Sequence, residues 1–466
     1  MTPSFSDFDT LLDRVHGHAR DYLHRLPAQH VGPRAGREAM MAALDAPLSA
    51  QGEDAAAVLD LLAAQAAHGM SACASPRYFG FVIGGSQPVA LATDWLVSTW
   101  DQNAGIHAIS PLAAAAEEVA ARWLLELFGL PRESGVGFVT GCQMANFTGL
   151  AAARHAVLER VGWDVEADGL QGAPRVHVVT SAESHITVDA ALRYLGLGTR
   201  NVHRIESDAQ GRMRAERLER TLATLEGPVI VCAQAGNVNT GAFDPLREIG
   251  TLTREAGAWL HVDGAFGLWA RASRAHAELA DGLELADSWA TDAHKWLNVP
   301  YDCGVAIVRD AAAHRAAMTS MAAYLIQTHG AERDAVDWTP EFSRRARGLP
   351  TYATLRNLGR DGVEALVDRC CARARQMATM LAAERGVRVL NDVVLNQVLV
   401  RFDDDDAITR DVVSGVQEDG TCWMSGTTWH DLAAMRISVS NWATSEDDVA
   451  RSVASVLRVL NRLRAR

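Results

Sequence analysis

The chain contains one lysine, Lys295, although its lysines and arginines together number 44. Arginine can replace lysine wherever only positive charge is needed, but a guanidinium does not form an imine with a carbonyl group, whereas a lysine amine does. A single retained lysine is therefore a candidate for covalent chemistry at its nitrogen. Composition alone leaves a second interpretation open, a chance survivor in an arginine-rich sequence, so the neighbouring residues must decide.

Two segments that end strand-like runs carry an acid and this amine. The run Trp-Leu-His-Val-Asp ends in Asp263, and the next such segment, 287–296, contains Lys295. Ligands of open parallel sheets bind beyond the carboxyl ends of the strands. There, an aspartate could pair with a protonated ring nitrogen of a cofactor that the lysine holds as a Schiff base. Taken alone, Asp263 could equally be a helix N-cap or a loop residue.

Other residues near these strand ends could contribute to the same site. A turn that joins a strand to a helix binds phosphate through backbone N–H groups without any lysine. A histidine here could lie flat on a cofactor ring or be structural. The candidates are Gly141, Cys142 and Gln143 in one turn, together with His185, Ser288, Thr291 and His294.

The elements that must position these residues alternate between strands and helices. Short apolar runs at 136–140, 176–180, 229–233, 259–263 and 304–308 are separated by helix-length stretches such as 145–160 and 246–256. This alternation predicts an α/β fold with a mostly parallel sheet and helices on both faces. A long helical pattern over 350–385, two strand-like runs and a final helix from Glu446 predict a smaller α+β part, and the polar segment 328–347 before it is predicted to be a long loop. Apolar residues at helical spacing between Leu11 and Leu23 predict an amphipathic helix at the N-terminus. We expect an N-terminal helical dimerisation segment at 1–75, a large cofactor domain at 76–349 and a small C-terminal domain at 350–466.

Charge and cysteine content restrict the partners. The formal net charge of −13 argues against nucleic acid or an anionic membrane as a partner. The N-terminus lacks the apolar run of a signal peptide, and no stretch approaches the length that crosses a bilayer. Seven cysteines, an odd number, show neither a disulfide framework nor a metal-binding spacing. We therefore expect a cytoplasmic protein without a metal.

Three segments taken together resemble the group II decarboxylases that depend on pyridoxal 5'-phosphate (PLP), a family that includes the aromatic-L-amino-acid, glutamate and cysteine sulfinate decarboxylases. They are His-Val-Asp-Gly-Ala-Phe at 261–266, Ala-Asp-Ser at 286–288 and Asp-Ala-His-Lys-Trp at 292–296. The resemblance runs from about Tyr78 to the C-terminus. It implies the fold-type-I, aspartate-aminotransferase-like architecture and a homodimer with active sites at the interface.

The resemblance also implies a role for each matching residue. Lys295 would hold PLP as an aldimine, Asp263 would pair with the pyridine nitrogen, His185 would stack on the ring and Ala265 would pack against its other face. The phosphate would be held by His294 and by the backbone around Cys142 and Gln143. The substrate would lie among Phe81, Val82, Ile83, His107 and Arg436, where the apolar residues favour an apolar or aromatic side chain and His107 leaves room for a polar or acidic one.

The chain departs from the family pattern in three places. The phosphate turn has Cys142, Gln143 and Met144 where relatives carry Ser or Thr and Glu. Asp292 and Ala293 stand where many relatives have Asn and Pro, which changes the hydrogen bonding around the phosphate. The loop tyrosine that is thought to reprotonate the substrate carbon falls at Ala335. Residues that could replace this acid are Tyr324, His329 and His185.

These observations lead to three hypotheses. The first is decarboxylation of an L-amino acid, which releases carbon dioxide and an amine. The second keeps the cofactor but changes the outcome to decarboxylation-dependent oxidative deamination, which gives an aldehyde, or to transamination; Ala335 motivates it. The third is a non-catalytic, PLP-binding regulator. The substrate does not follow from the sequence.

Overall fold

The computed structural model describes residues 5–48, 50–319 and 332–466. Five helices precede the first strand: α1 (Ser6–Arg25), α2 (Arg37–Leu44), α3 (Ala55–Gly69), α4 (Pro88–Trp100) and α5 (Pro111–Phe128). The amphipathic helix predicted at the N-terminus is therefore present as α1. It contacts α3, where Asp60 Oδ1 lies 2.9 Å from Nε2 of His18. In α2 and α3 no residue is buried.

The centre of the molecule is a seven-stranded sheet with helices between its strands. Its elements in chain order are β1 (Gly135–Val139), α6 (Cys142–Glu159), α7 (Val165–Asp168), β2 (His177–Ser181), α8 (Ile186–Tyr194), β3 (Val202–Ile205), α9 (Ala215–Leu222), β4 (Val229–Gln234), α10 (Leu246–Glu255), β5 (Trp259–Asp263), β6 (Ser288–Asp292), β7 (Gly304–Val308) and α11 (Ala311–Met318). The strand order is β1-β7-β6-β5-β4-β2-β3, and only β7 runs antiparallel to its neighbours. The predicted α/β fold is thus confirmed, and its core strands are buried on both faces, as expected for a sheet covered by helices.

The C-terminal part is smaller and carries its own antiparallel sheet. It comprises α12 (Gly348–Ala382), β8 (Val387–Val389), β9 (Gln397–Phe402), α13 (Asp406–Asp419), β10 (Ser425–Trp429), β11 (Leu432–Ser438) and α14 (Glu446–Arg464). Its strand order is β10-β11-β9-β8. Helix α14 begins where predicted, because Ser445 and Asp448 form a reciprocal capping box at its start.

The segment before α12, which we expected to be a long loop, is packed where the structure describes it. Ala335 and Val336 are buried in a short 3₁₀ turn. The buried guanidinium of Arg344 pairs with Glu117 at 2.7 Å and also donates to two main-chain carbonyls. Tyr324 and His329 lie outside the described residues. Within the described ranges, no helix has the length and apolar character needed to cross a bilayer.

Candidate active site

The only lysine is held at the carboxyl end of β6. Its Nζ lies 2.8 Å from Oδ2 of Asp292, the last residue of that strand, and the two side chains are 19% and 3% exposed. Burial alone would lower the pKa of Lys295, but Asp292, Cys142 and Asp263 together raise it above its usual value. The amine is therefore held as a buried ammonium by a carboxylate beside it.

The neighbouring strand β5 ends in Asp263, whose carboxylate is buried and hydrogen-bonded. Asn146 Nδ2 donates to Oδ2 at 3.1 Å, and Oδ1 accepts from the Ala265 N–H at 3.1 Å. The thiol of Cys142 contacts Oδ1 at 3.4 Å. The strand ends that carry the acid and the amine are adjacent in the sheet because β5 and β6 pair in parallel. This is the arrangement predicted for Asp263 and Lys295.

Behind Asp263, a directional chain of hydrogen bonds runs along one face of the sheet. Trp259 Nε1 can only donate, and it donates to the Ser288 hydroxyl at 2.9 Å. That hydroxyl then donates to Nδ1 of His261 at 2.8 Å, so Nε2 carries the hydrogen and donates to Oδ1 of Asn146 at 2.9 Å. Burial lowers the pKa of His261 to about 4, which keeps the ring neutral. This series of hydrogen bonds therefore orients the Asn146 amide with Oδ1 toward His261 and Nδ2 toward Asp263.

At Asn146 the series of hydrogen bonds branches toward His185. Asn146 Nδ2 also lies 3.3 Å from the hydroxyl of Thr187, which in turn donates to His185 Nδ1 at 2.8 Å. His185 caps the N-terminus of α8, and burial lowers its pKa. Its remaining ring nitrogen, Nε2, therefore carries a hydrogen. One buried amide orients both the acid and the histidine that the resemblance assigns to the cofactor ring.

The turn predicted to bind phosphate lies next to Lys295. The N–H of Cys142, the first residue of α6, donates to Asp292 Oδ1 at 2.6 Å, and His294 Nε2 lies 3.4 Å from the same oxygen. His294 Nδ1 accepts from the Cys303 N–H, so Nε2 carries its hydrogen toward Asp292. A Cβ on Gly141 would meet His294 at 3.2 Å. The turn, the histidine and the lysine are thus brought together.

Two residues that the sequence analysis missed fix the backbone of this site. Asn298 Nδ2 donates to the carbonyl of Lys295 at 2.7 Å and to that of Ser440 at 2.9 Å. Gly84 lies so close that a Cβ would stand 2.4 Å from the Lys295 carbonyl. The lysine segment is therefore clamped between the N-terminal 80–85 segment and the C-terminal part.

The residues expected to contact the substrate differ from one another in exposure and charge. Phe81 and Val82 both have positive φ, at 53° and 59°, and Phe81 is half exposed while Val82 is buried. The Arg436 guanidinium lies 5.9 Å from the Phe81 ring centre. Burial lowers the pKa of Arg436, its Nε has no hydrogen-bond partner, and we find no ion pair to it from a described residue. An unpaired buried cation of this kind is suited to an anionic group of a ligand.

Among the described residues, three predicted ones have no hydrogen bond or ion pair to Lys295 or Asp263. Ser288 lies at the start of β6, in the core, and its hydroxyl bonds to His261 and Trp259, so its contacts give no support to a role in cofactor binding. Thr291 is fully buried, with its hydroxyl 3.4 Å from the Ala265 carbonyl. The backbone N–H of His107 donates to Asp334 Oδ1 at 2.7 Å. No hydrogen bond or ion pair within the described ranges joins His107 to Lys295. Gln143 and Ala265 border the site, exposed and half-buried respectively, and Ile83 is half-buried in the 80–85 segment.

The fold and the site define a class of protein: an α/β protein with a lysine and an aspartate at adjacent strand ends, beside a helix N-terminus that can bind phosphate. A model of the pyridoxal-dependent decarboxylase conserved domain matches residues 38–403. The chain belongs to this family, and its cofactor is PLP. The donor set fits that cofactor, because a reactive amine, a buried carboxylate and a helix N-terminus are all present.

Named relatives and one solved structure are similar to the chain. Mouse acidic amino acid decarboxylase GADL1 is 32% identical over 323 residues, which cover 68% of this chain and 58% of that protein. The chain thus spans less than two thirds of that relative. Rat cysteine sulfinic acid decarboxylase is 31% identical over 355 residues, 74% of this chain and 71% of the relative. The crystal structure of Oryza sativa TDC with PLP and tryptamine has a TM-score of 0.92, 22% identity and 99% coverage of both chains, which shows the fold.

Proposed function

We propose that the protein is a PLP-dependent carboxy-lyase that decarboxylates an L-amino acid to an amine and carbon dioxide. One observation carries the proposal: the only lysine of the chain lies at the end of β6, next to the strand end that carries Asp263, and a single network through Asn146 orients Asp263 and His185. A lysine in an unrelated role does not require this arrangement. The family relationship supports the same reaction.

Each residue of the site has a task in this reaction. PLP, when bound, would supply an electron sink for the bond between the α-carbon and the carboxylate of an amino acid. We assign Lys295 to the attachment of the cofactor, and Asp263 to holding the proton on its pyridine nitrogen. His185 would lie against the ring, and the Cys142 N–H with His294 would hold the phosphate. Asp263, His294 and Cys142 are buried, which helps to keep water from the reacting carbon.

We propose that Arg436 binds a carboxylate of the substrate. Its guanidinium is largely buried, lies over Phe81 and contributes to the electrostatic environment of His185. The two mammalian relatives are named for acidic substrates, an acidic amino acid and cysteine sulfinic acid. Acidic amino acids are therefore the first substrates to test, and aromatic ones, favoured by the exposed ring of Phe81, are the second.

A second candidate function is decarboxylation-dependent oxidative deamination to an aldehyde. It is favoured by Ala335, which stands where we expected the tyrosine that reprotonates the product and which is buried. A methyl side chain cannot donate a proton. His185 is the described candidate for the acid, since its Nε2 carries a hydrogen.

A panel of L-amino acids tests both candidates with the PLP-loaded protein. Carbon dioxide, amine, aldehyde, ammonia and peroxide are measured for aspartate, glutamate, cysteine sulfinate, tryptophan, tyrosine and phenylalanine. We expect carbon dioxide and amine in equal amounts from at least one of them. Carbon dioxide with aldehyde, ammonia and peroxide supports the second candidate. Bound PLP without any turnover contradicts both and supports a non-catalytic, PLP-binding regulator.

We further propose that the protein is a homodimer, and that residues 1–75 form much of the contact between its subunits. The support is that α2 and α3 contain no buried residue but expose apolar side chains. The family resemblance also implies active sites at such an interface. We propose the cytoplasm as its location because all seven cysteines are free thiols, as is usual in a reducing compartment.

A further inference from the structure

A carboxylate of the chain itself lies where the cofactor phosphate is expected to bind. Asp292 Oδ1 accepts the N–H of Cys142 at the start of α6 at 2.6 Å, and its Oδ2 lies 2.8 Å from Lys295 Nζ. The first N–H groups of a helix have no partner within the helix and bind anions. The side chain of Asp292 is almost completely buried. The chain thus supplies its own anion to this phosphate seat, the space beside the Cys142 N–H and His294 Nε2, and pairs the other oxygen of Asp292 with Lys295.

We propose that Asp292 is an internal occupant of the phosphate seat, which the cofactor phosphate replaces at the Cys142 N–H while the Asp292 carboxylate takes up a proton. This inference uses the cofactor site of the proposed function. Two anions at one N–H group in a buried site repel each other strongly, because the local dielectric is low. Protonation of Asp292 removes that repulsion without moving the strand that carries it.

The exchange also prepares Lys295 for its reaction. In the ion pair with Asp292 the nitrogen is an ammonium, which has no free electron pair with which to attack an aldehyde. When Asp292 becomes neutral, Lys295 loses its counter-ion and can release its proton. Its neutral nitrogen would then bond to the aldehyde carbon, and the aldehyde oxygen would leave as water with the two hydrogens of the amine. The arrival of the phosphate would thus make the amine reactive only when a cofactor is in place.

The other titratable groups around Asp292 leave it as the main source of pH dependence. Besides Lys295, they are Cys142 from α6, Asp263 from β5, His185 at the start of α8, His294 and Tyr301 from the segment after β6, and the thiol of Cys303 just before β7, whose pKa burial raises to about 12. Burial raises the pKa of Cys142 well above its ordinary value and that of Tyr301 to about 12, and it lowers those of His185 and His294. Cys142, Tyr301 and the two histidines are therefore uncharged near neutral pH.

Sulfate tests the exchange because it remains a dianion over the whole pH range of the experiment. Its affinity for the full-length, cofactor-free protein is measured by calorimetry between pH 6 and 8.5. We expect the affinity of the wild type to fall by up to about tenfold per pH unit, because one proton is taken up with each ion. Asp292→Asn should bind sulfate at least about tenfold more tightly at pH 8, with little pH dependence.

A matched control is Asp244→Asn, because Asp244 is also buried and accepts two backbone N–H groups, those of Met213 and Gln234, both at 2.7 Å. It lies outside the phosphate seat, so its sulfate affinity should follow that of the wild type. Sulfate binding by Asp292→Asn that is no tighter than the wild type, or that keeps the wild-type pH dependence, overturns the inference.

The single lysine provides a second readout without enzyme turnover. Lysine labelled with ¹³C at Cε gives one side-chain signal, that of Lys295, and we expect Asp292→Asn to lose the lysine proton at a pH lower by at least about one unit, a tenfold change. An unchanged titration contradicts the inference. Trapping of PLP on wild-type Lys295 with borohydride tests the proposed function separately: without that adduct the proposed function fails, whereas the sulfate and lysine titrations still decide the role of Asp292.

Discussion

The strand ends around Lys295 find their packing and hydrogen-bond partners within one chain, whereas helices α2 and α3 leave apolar side chains exposed. At the strand ends, Asp263, Asn146, His261 and Ser288 satisfy one another's hydrogen bonds within one chain. Helices α2 and α3 bury none of their residues, and they expose Met41, Leu44, Val58, Leu61 and Leu62. We call the hydrogen-bonded set of Asp263, Asn146, His261 and Ser288 the cofactor floor. The comparison indicates that one chain is enough to form this floor, whereas the apolar side chains of the N-terminal helices need a further surface to cover them. We propose that this surface is the second subunit.

The largest effect is expected from Lys295→Arg. Arginine keeps the ion pair with Asp292 but cannot attach the cofactor, so decarboxylation should fall by about a thousandfold or more. Carbon dioxide release and the mass after borohydride reduction measure this. An unfolding temperature close to that of the wild type shows that the variant still folds. A covalent PLP adduct in this variant contradicts the role of Lys295.

A smaller loss is expected from Asp263→Asn, compared with Asp244→Asn. The amide introduced at position 263 carries no charge with which to hold a proton on the pyridine nitrogen, so kcat should fall by about 10²- to 10³-fold while PLP remains bound. Asp244→Asn should cost about 1–3 kcal/mol of stability and leave kcat per bound PLP unchanged. Steady-state rates and urea unfolding separate the two effects. Equal losses of kcat would show that Asp263 has only a structural role.

The proposed subunit contact through the N-terminal helices is tested by placing charges on α3. Leu61→Asp with Leu62→Asp should raise the dissociation constant of the dimer by at least about a hundredfold, which is about 2.8 kcal/mol, because a carboxylate without a partner is costly to bury. Light scattering after size exclusion measures the subunit mass. Val161→Asp changes a similarly exposed apolar residue outside this segment and should leave the dimer intact. A wild type that is monomeric at micromolar concentration, or a double variant that stays dimeric, contradicts the proposed interface.

The sequence predicted much of the fold because its strands are short, apolar and buried. The strands at 259–263 and 304–308 have the predicted bounds, and the final helix begins at Glu446 as expected. The short strand β3, helices α4 and α5, and the bounds of α2 and α3 within the predicted helical segment 1–75 were not predicted. Strand β3 has a half-exposed burial pattern, and α2 and α3 pack few of their residues, so neither leaves a strong periodic signal.

The site could be predicted where chemistry requires a particular residue type, as at Lys295 and Asp263. The supporting residues could not, because their roles depend on how α6 lies on the sheet. One signal was available: His261 lies two residues before Asp263 and therefore on the same strand face, and Asn146 lies one helical turn after Cys142. A Cβ on Gly149 would stand 2.9 Å from His261, so that glycine allows the close approach that joins them. The position of Ser288 was not predicted, because the sequence pattern did not show that it begins β6 rather than ends it.

The smallest expected effect concerns the pH dependence of the cofactor floor. Burial lowers the pKa of His261 from its ordinary value of 6.5 to about 4. The unfolded chain therefore binds a proton at this residue below about pH 6.5, whereas the folded chain does so only below about pH 4. Unfolding takes up a proton in that window, so the free energy of unfolding decreases as the pH falls.

We expect the wild type to lose about 1.5 kcal/mol more than His261→Gln between about pH 6.5 and about pH 5. Glutamine can donate to Asn146 and accept from Ser288 but does not titrate. Urea unfolding at the two pH values measures the difference, and His430→Gln, at an exposed histidine, should behave as the wild type. An equal pH dependence in the wild type and His261→Gln would mean that the ring takes up its proton at the same pH in the folded and the unfolded chain. Below about pH 6.5 Asn146 would then be held by a cation, and the neutral hydrogen-bond relay that orients Asp263 would not persist there.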